Sequence, residues 1–224
     1  MNSEKEFSLV VYGASGFTGR LVAEYLAAQY GDNLKWAMAG RNEEKLKSVR
    51  EEVGAGDVPL IIADSDDEAS LKSMVARADV VLTTTGPYQL YGEGLLKACA
   101  EAGTHYVDLC GEPGWMYDMI GKYQDTASNS GACLVFSCGF DSVPSDLSVY
   151  FLQRHFHARY GRYAPRVSGR MGRAVRPLVL PPPLTPRCQA RTCTSNIRST
   201  TAMRATRNPT PKTTFQIRTR RIRT

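Results

Sequence analysis

The sequence predicts an α/β fold, a doubly wound parallel sheet, on three observations. Short apolar, β-branched runs alternate with longer amphipathic stretches through residue 165. Most of the runs are apolar throughout, as strands covered on both faces are. A glycine-rich turn joins the first run to the first stretch.

Taken in order, Ser8–Tyr12 reads as the first strand and 17–30 as the first helix, whose Leu21, Val22, Tyr25 and Leu26 share one face while Arg20, Glu24 and Gln29 lie elsewhere. Leu34–Ala39 is the second strand, followed by helix 42–53. Val58–Ala63 is the third, and the acidic cluster Asp64-Ser65-Asp66-Asp67 after it either caps helix 67–77 or lends Asp64 to an adenine edge. Val80–Thr84, helix 90–102, His105–Leu109, helix 114–130 and Cys133–Ser137 complete six strands and five helices. A further helix begins near Pro144, with Asp141 and Asp146 read as its capping segment.

Composition bounds the function. The chain has 224 residues, 42% of them hydrophobic, which excludes a disulfide miniprotein and a wholly disordered chain. No run approaches the roughly 18 apolar residues of a membrane span, and Met1–Glu6 lacks a secretory pattern, so the expectation is a cytoplasmic protein. Six cysteines without a CxxC pair, beside only three histidines, predict reduced thiols and no metal site.

The net charge of +6 conceals two compositions. Residues 1–165 hold all 22 acids and 14 basic residues, whereas 166–224 hold the other 14 basic residues, no acid, and Phe215 as the sole aromatic. We therefore expect a folded domain over 1–165 and a disordered Arg/Thr/Pro-rich tail over 166–224. Three origins for the tail stay open: a basic arm for RNA or an anionic membrane, a solvated extension without a partner, and translation out of frame from near Gly172.

The turn after the first strand is Gly13-Ala14-Ser15-Gly16-Phe17-Thr18-Gly19. Glycines there allow a tight turn, close helix packing, and approach of a pyrophosphate to main-chain N–H groups at the positive end of the helix. The spacing GxxGxxG is a variant of the dinucleotide fingerprint, and its place between strand and helix makes the domain Rossmann-like. A Cβ at Gly16 would obstruct the phosphate, and a positive φ is a further reason for glycine there. The second strand ends Ala39-Gly40-Arg41, where an acid would take a ribose 2′-hydroxyl; a guanidinium suits a 2′-phosphate and favours NADP over NAD. Thr85-Gly86-Pro87, at the carboxyl end of the fourth strand, sets rigid backbone on the nicotinamide side.

His105, Tyr106, Asp108 and Glu112 are of the types that move the proton accompanying hydride transfer, although a buried core role suits each as well, and no catalytic residue is assigned. One rival design is absent: no Tyr is followed by Lys four residues on, Tyr91 being followed by Leu95 and Tyr106 by Cys110.

The loop Gly13–Gly19, Ala39-Gly40-Arg41, Thr85–Gly92, Gly103–Asp108 with Gly111-Glu112-Pro113, and Cys138–Asp146 together resemble the saccharopine dehydrogenase-like oxidoreductases, most closely the branch with the trans-acting enoyl reductases. The resemblance covers residues 8–172. It implies an NADP-binding domain, then a substrate and dimerisation domain that the remaining residues do not supply, a small-molecule or lipid-like substrate, and a homodimer. It also implies lipid-droplet or membrane association in some members. A nucleic-acid partner is not expected. The expected activity is NADP-dependent hydride transfer to a C=C, C=N or C=O bond, with an NADP-binding module devoid of turnover as the alternative.

Overall fold

The computed structural model describes residues 5–169. The tail beyond Gly169, with Cys188 and Cys193, and the first four residues lie outside them. The chain divides after Pro144 into two units, and each is described by itself.

The first unit holds a six-stranded parallel sheet in the order β3-β2-β1-β4-β5-β6. Its strands are β1 (Phe7–Tyr12), β2 (Trp36–Gly40), β3 (Leu60–Ile62), β4 (Ala78–Thr83), β5 (His105–Asp108) and β6 (Leu134–Val135). Between them run α1 (Phe17–Tyr30), a 3-10 turn, α2 (Glu43–Glu52), α3 (Glu68–Ala76), α4 (Tyr88–Ala102) and α5 (Pro113–Ser130). All pairings are parallel, and β1 is flanked by β2 and β4, so the chain reverses its direction of travel across the sheet between those two neighbours.

Because side chains alternate along a strand, each strand feeds two layers. Val11, Trp36 and Met38 pack with Ala23 and Leu26 of α1 and Leu46 and Val49 of α2. Val10, Tyr12, Ala37, Ala39, Val81 and Tyr106 pack with α3, α4 and α5 on the opposite layer. Every residue of β2 is buried, which is why that strand reads as a continuous apolar run.

Helix ends follow local chemistry. Asn42 caps α2 by accepting from the Lys45 N–H at 2.9 Å, and Asp67 caps α3 by accepting from Ala69 at 3.0 Å, the capping alternative for the acidic cluster. Gly103 (φ 70°) and Gly131 (φ 83°) end α4 and α5 in the left-handed region. One expectation is corrected: on α1 the buried residues are Gly19, Ala23 and Leu26, while Leu21 and Tyr25 of the expected apolar face are 46% and 58% exposed. The close approach of α1 to its own strand is made by small residues, and this turns the larger ones outward.

The second unit contains most of a last helix, α6 (Val143–Tyr160). The Gln153 amide donates to the Ala164 carbonyl at 3.0 Å and accepts from the Ala164 N–H at 2.8 Å, folding the following segment back on the helix. Among the described residues no helix is long and apolar enough to cross a membrane.

Helices α4 and α5 approach closely at Gly92. A Cβ on Gly92 would stand 2.7 Å from Cζ2 of buried Trp115 and 3.3 Å from the Tyr88 Cβ, whereas one on Gly121 of α5 would meet nothing within 4 Å. Alanine at an exposed helical position gains about 1 kcal/mol over glycine, and overpacking a core costs about 1–3 kcal/mol. Gly121→Ala should therefore raise the urea midpoint and Gly92→Ala should lower it, and the paired denaturation curves test both signs.

Candidate functional site

The carboxyl ends of β1 to β4 enclose a cleft of about 290 Å³, lined by Tyr12, Gly13, Ser15, Gly16, Gly40, Arg41, Asp64, Ser65, Asp66, Thr84, Thr85, Gly86 and Tyr91. A larger cleft of about 480 Å³ lies where strands begin, around Phe7, Trp36 and the 54–59 turn.

The glycine turn is built around its own first carbonyl. Gly13 has φ 84°, a left-handed angle, and a Cβ there would lie 2.5 Å from the Thr85 Oγ1 and 2.9 Å from the Thr84 Oγ1. The Gly13 carbonyl accepts from the Gly16 N–H at 2.9 Å and from the Thr84 hydroxyl at 3.2 Å. A Cβ on Gly19 would collide with that same carbonyl and with the Ala14 Cα, so Gly19 is what lets α1 close onto the turn. Gly16 differs: its φ is −81°, and a Cβ would meet only the Gly13 oxygen at 3.3 Å. The positive angle expected at Gly16 thus sits at Gly13, because the chain reverses immediately after β1.

Gly16 is the N-cap of α1, and no side chain caps the helix. The N–H groups of Phe17, Thr18 and Gly19 have no partner within the helix, so an exposed glycine opens onto the positive end of a helix dipole. This amino end is an open cradle beside the cleft, and its donors fit a diphosphate. Of the other expected contacts, Ser15, Gly16, Arg41, Thr85 and Gly86 line the cleft with Gly13; Ala14 is fully buried beneath it, Phe17 is exposed beside it, and Thr18 and Pro87 stand outside its lining. Arg41 is exposed at the carboxyl end of β2.

Several lining residues escaped the sequence reading. The Tyr12 hydroxyl lies 3.1 Å from the Ser65 Oγ and bridges the ends of β1 and β3, its phenol raised above the ordinary value by burial. Thr84 ties β4 to the turn. Both are the residue at or just after a strand's carboxyl end, the position that could have singled them out.

Three of the four candidate proton carriers hold backbone N–H groups, and the fourth, Tyr106, holds one of those three. Buried Tyr106 donates to the Asp108 Oδ2 at 2.8 Å, and the Asp108 Oδ1 accepts from the N–H groups of Cys110 at 3.0 Å and Ser137 at 2.8 Å. His105 Nδ1 accepts from the Cys133 N–H at 3.0 Å. Glu112 accepts from the N–H groups of Tyr88 and Gln89, both at 2.9 Å. Burial pushes the Asp108 carboxyl above 3.8, with its donors opposing, and raises the Cys110 thiol to about 11 and the Cys99 thiol to about 12, so neither is a thiolate at neutral pH. Among the described residues no cluster of three or more His, Cys, Asp or Glu is placed to hold a metal.

Residues 9–135 match the family described as the saccharopine dehydrogenase NADP binding domain. The trans-acting enoyl reductase of Mycobacterium tuberculosis is 50% identical over 154 residues, covering 68% of this chain and 37% of that protein. Its Mycobacterium ulcerans counterpart is 46% identical over 155 residues, with the same coverage. The chain thus spans little more than a third of the length of these relatives. Saccharopine dehydrogenase (L-Glu forming) of Saccharomyces cerevisiae superposes with a TM-score of 0.53 at 18% identity, over 66% of this chain and 32% of that one, which shows the shared fold.

Two outcomes follow from this geometry. Gly16→Ala should remain folded, with a melting temperature close to that of the wild type, yet lose most of its NADPH affinity in a fluorescence titration, whereas Gly13→Ala should lose the fold itself. The Asp108 carboxyl binds its proton more tightly folded than unfolded, so its contribution to stability falls as pH rises from about 3.8 through the folded value. Asp108→Asn keeps an acceptor for Cys110 and Ser137 and can donate to the Tyr106 oxygen. Its stability relative to wild type should accordingly improve as pH rises from about 3.8, measured by urea unfolding at a series of pH values.

Proposed function

Because this chain belongs to the saccharopine dehydrogenase family through its NADP-binding domain, we propose that it is the cofactor-binding part of an NADP-dependent oxidoreductase. The observation that carries the reading is the uncapped amino end of α1, opened by Gly16 onto a cleft with Arg41 on its rim. The N–H groups of the first turn of α1 would hold the diphosphate, and Arg41 would take the 2′-phosphate as a paired, charge-assisted donor. The Thr84-Thr85-Gly86 wall at the end of β4 would bound the far nucleoside. Bound NADPH supplies a hydride, and the substrate class we infer is a small molecule with a C=C, C=N or C=O bond, the enoyl reductase relatives favouring the first.

A second reading has its own support. His105, Asp108 and Glu112 accept from backbone N–H groups and Tyr106 donates to Asp108, which favours a proton donor from outside this set. On that reading residues 5–144 bind NADP without turnover unless a substrate-facing partner segment completes the site.

The test is cofactor choice. Wild-type protein should bind NADPH more tightly than NADH, and Arg41→Ala should cost NADPH on the order of 1.5–3 kcal/mol while leaving NADH unchanged. Equal affinities of the wild-type protein for the two cofactors would overturn the assignment.

A further inference from the structure

Two helix amino ends, on opposite faces of the sheet, open at its carboxyl end. β1 and β4 are neighbours, and α1 and α4 start just beyond their carboxyl ends, so both helix dipoles present positive charge to one crevice. The two ends are treated differently. α1 has no side-chain cap. At α4 the N-cap is Pro87, whose side chain has no acceptor, and the carboxylate of Glu112 arrives from 24 residues away to accept from Tyr88 N–H with Oε1 and from Gln89 N–H with Oε2. Glu112 is at the same time the N-cap residue of α5.

The loop entering α4 is held at its other end too. The Tyr88 hydroxyl donates to the Thr83 carbonyl at 3.2 Å and accepts from the Leu109 N–H at 3.4 Å, and the Thr85 N–H donates to the Thr83 Oγ1 at 3.2 Å. Thr84, Thr85 and Gly86, which wall the cleft, are thus suspended between β4 and a helix end fixed by one carboxylate.

We propose that Glu112 is a positioning residue for the dinucleotide, resting on the NADP reading above. It occupies the α4 amino end with its own side chain, leaving α1 as the open phosphate cradle, and it fixes the Thr84–Gly86 wall against which the far nucleoside is placed. The adenosine side, built from β1, β2 and Arg41, does not depend on it.

The test separates the two halves of the ligand. Adenosine 2′,5′-bisphosphate carries the 2′-phosphate and the adenosine but has no second nucleoside to reach the β4 wall. Wild-type protein should bind both it and NADPH. Glu112→Ala should weaken NADPH by about tenfold while the fragment binds as before, with a cooperative melting transition confirming the fold. Glu112→Gln keeps one acceptor and sets its amide against the second N–H, so the NADPH-to-fragment affinity ratio should drop by about threefold. It also carries the test if the alanine variant does not fold. Unchanged NADPH affinity in Glu112→Gln, or equal loss of both ligands, would overturn the positioning role. Wild-type protein that binds neither ligand would instead overturn the NADP reading beneath it.

Discussion

The carbonyl of Gly13 is the point on which the site depends. It receives the Gly16 N–H and the Thr84 hydroxyl, and it forbids a side chain at Gly19. One oxygen thus sets the tightness of the turn, the distance of α1 from its strand, and the tie between the turn and the loop after β4. The last of these fixes the crevice width, since the two strands and their following loops form its opposing walls. A left-handed residue at position 13 is the condition for aiming that carbonyl inward.

Beyond the turn, buried polar groups join the carboxyl ends of the strands alongside the apolar packing. Asp108 gathers Tyr106, Cys110 and Ser137, and among the described residues no buried side-chain nitrogen or oxygen lacks a partner. Such groups stabilise little on balance but are costly to leave half-satisfied, so they specify loop positions sharply. Ion pairs such as Arg20–Glu52 and Lys72–Glu68 lie on exposed surface, where each contributes little. Stability rests on the two apolar layers, and position rests on the polar joints.

This division explains what the sequence made legible. β2 is legible because a strand covered on both faces leaves an unbroken apolar run, β1 and β4 because their apolar cores Leu9–Tyr12 and Val80–Leu82 do the same, and the α1 turn because its glycines fall between strand and helix. β3 and β6 came out shorter than their runs, Val58–Ala63 and Cys133–Ser137, since each has one neighbour and its length is set by the rungs that neighbour offers. The outward turn of Leu21 and Tyr25 was hidden because the 3.6-residue pattern gives a face but not which part of it small residues will press against the sheet. Least legible was Glu112: a carboxylate that caps a helix 24 residues earlier leaves no local signature, and its residue type suggested proton transfer.

The brevity of the outer strands has an effect on association between molecules. An open parallel sheet ends in two rows of unpaired N–H and C=O groups, which invite strand addition by another chain. Here the outer strands are Leu60–Ile62, three residues, and Leu134–Val135, two residues. Each offers too few consecutive bonding groups to template a ladder, so the longer central strands stay enclosed and the sheet resists growing sideways into aggregates.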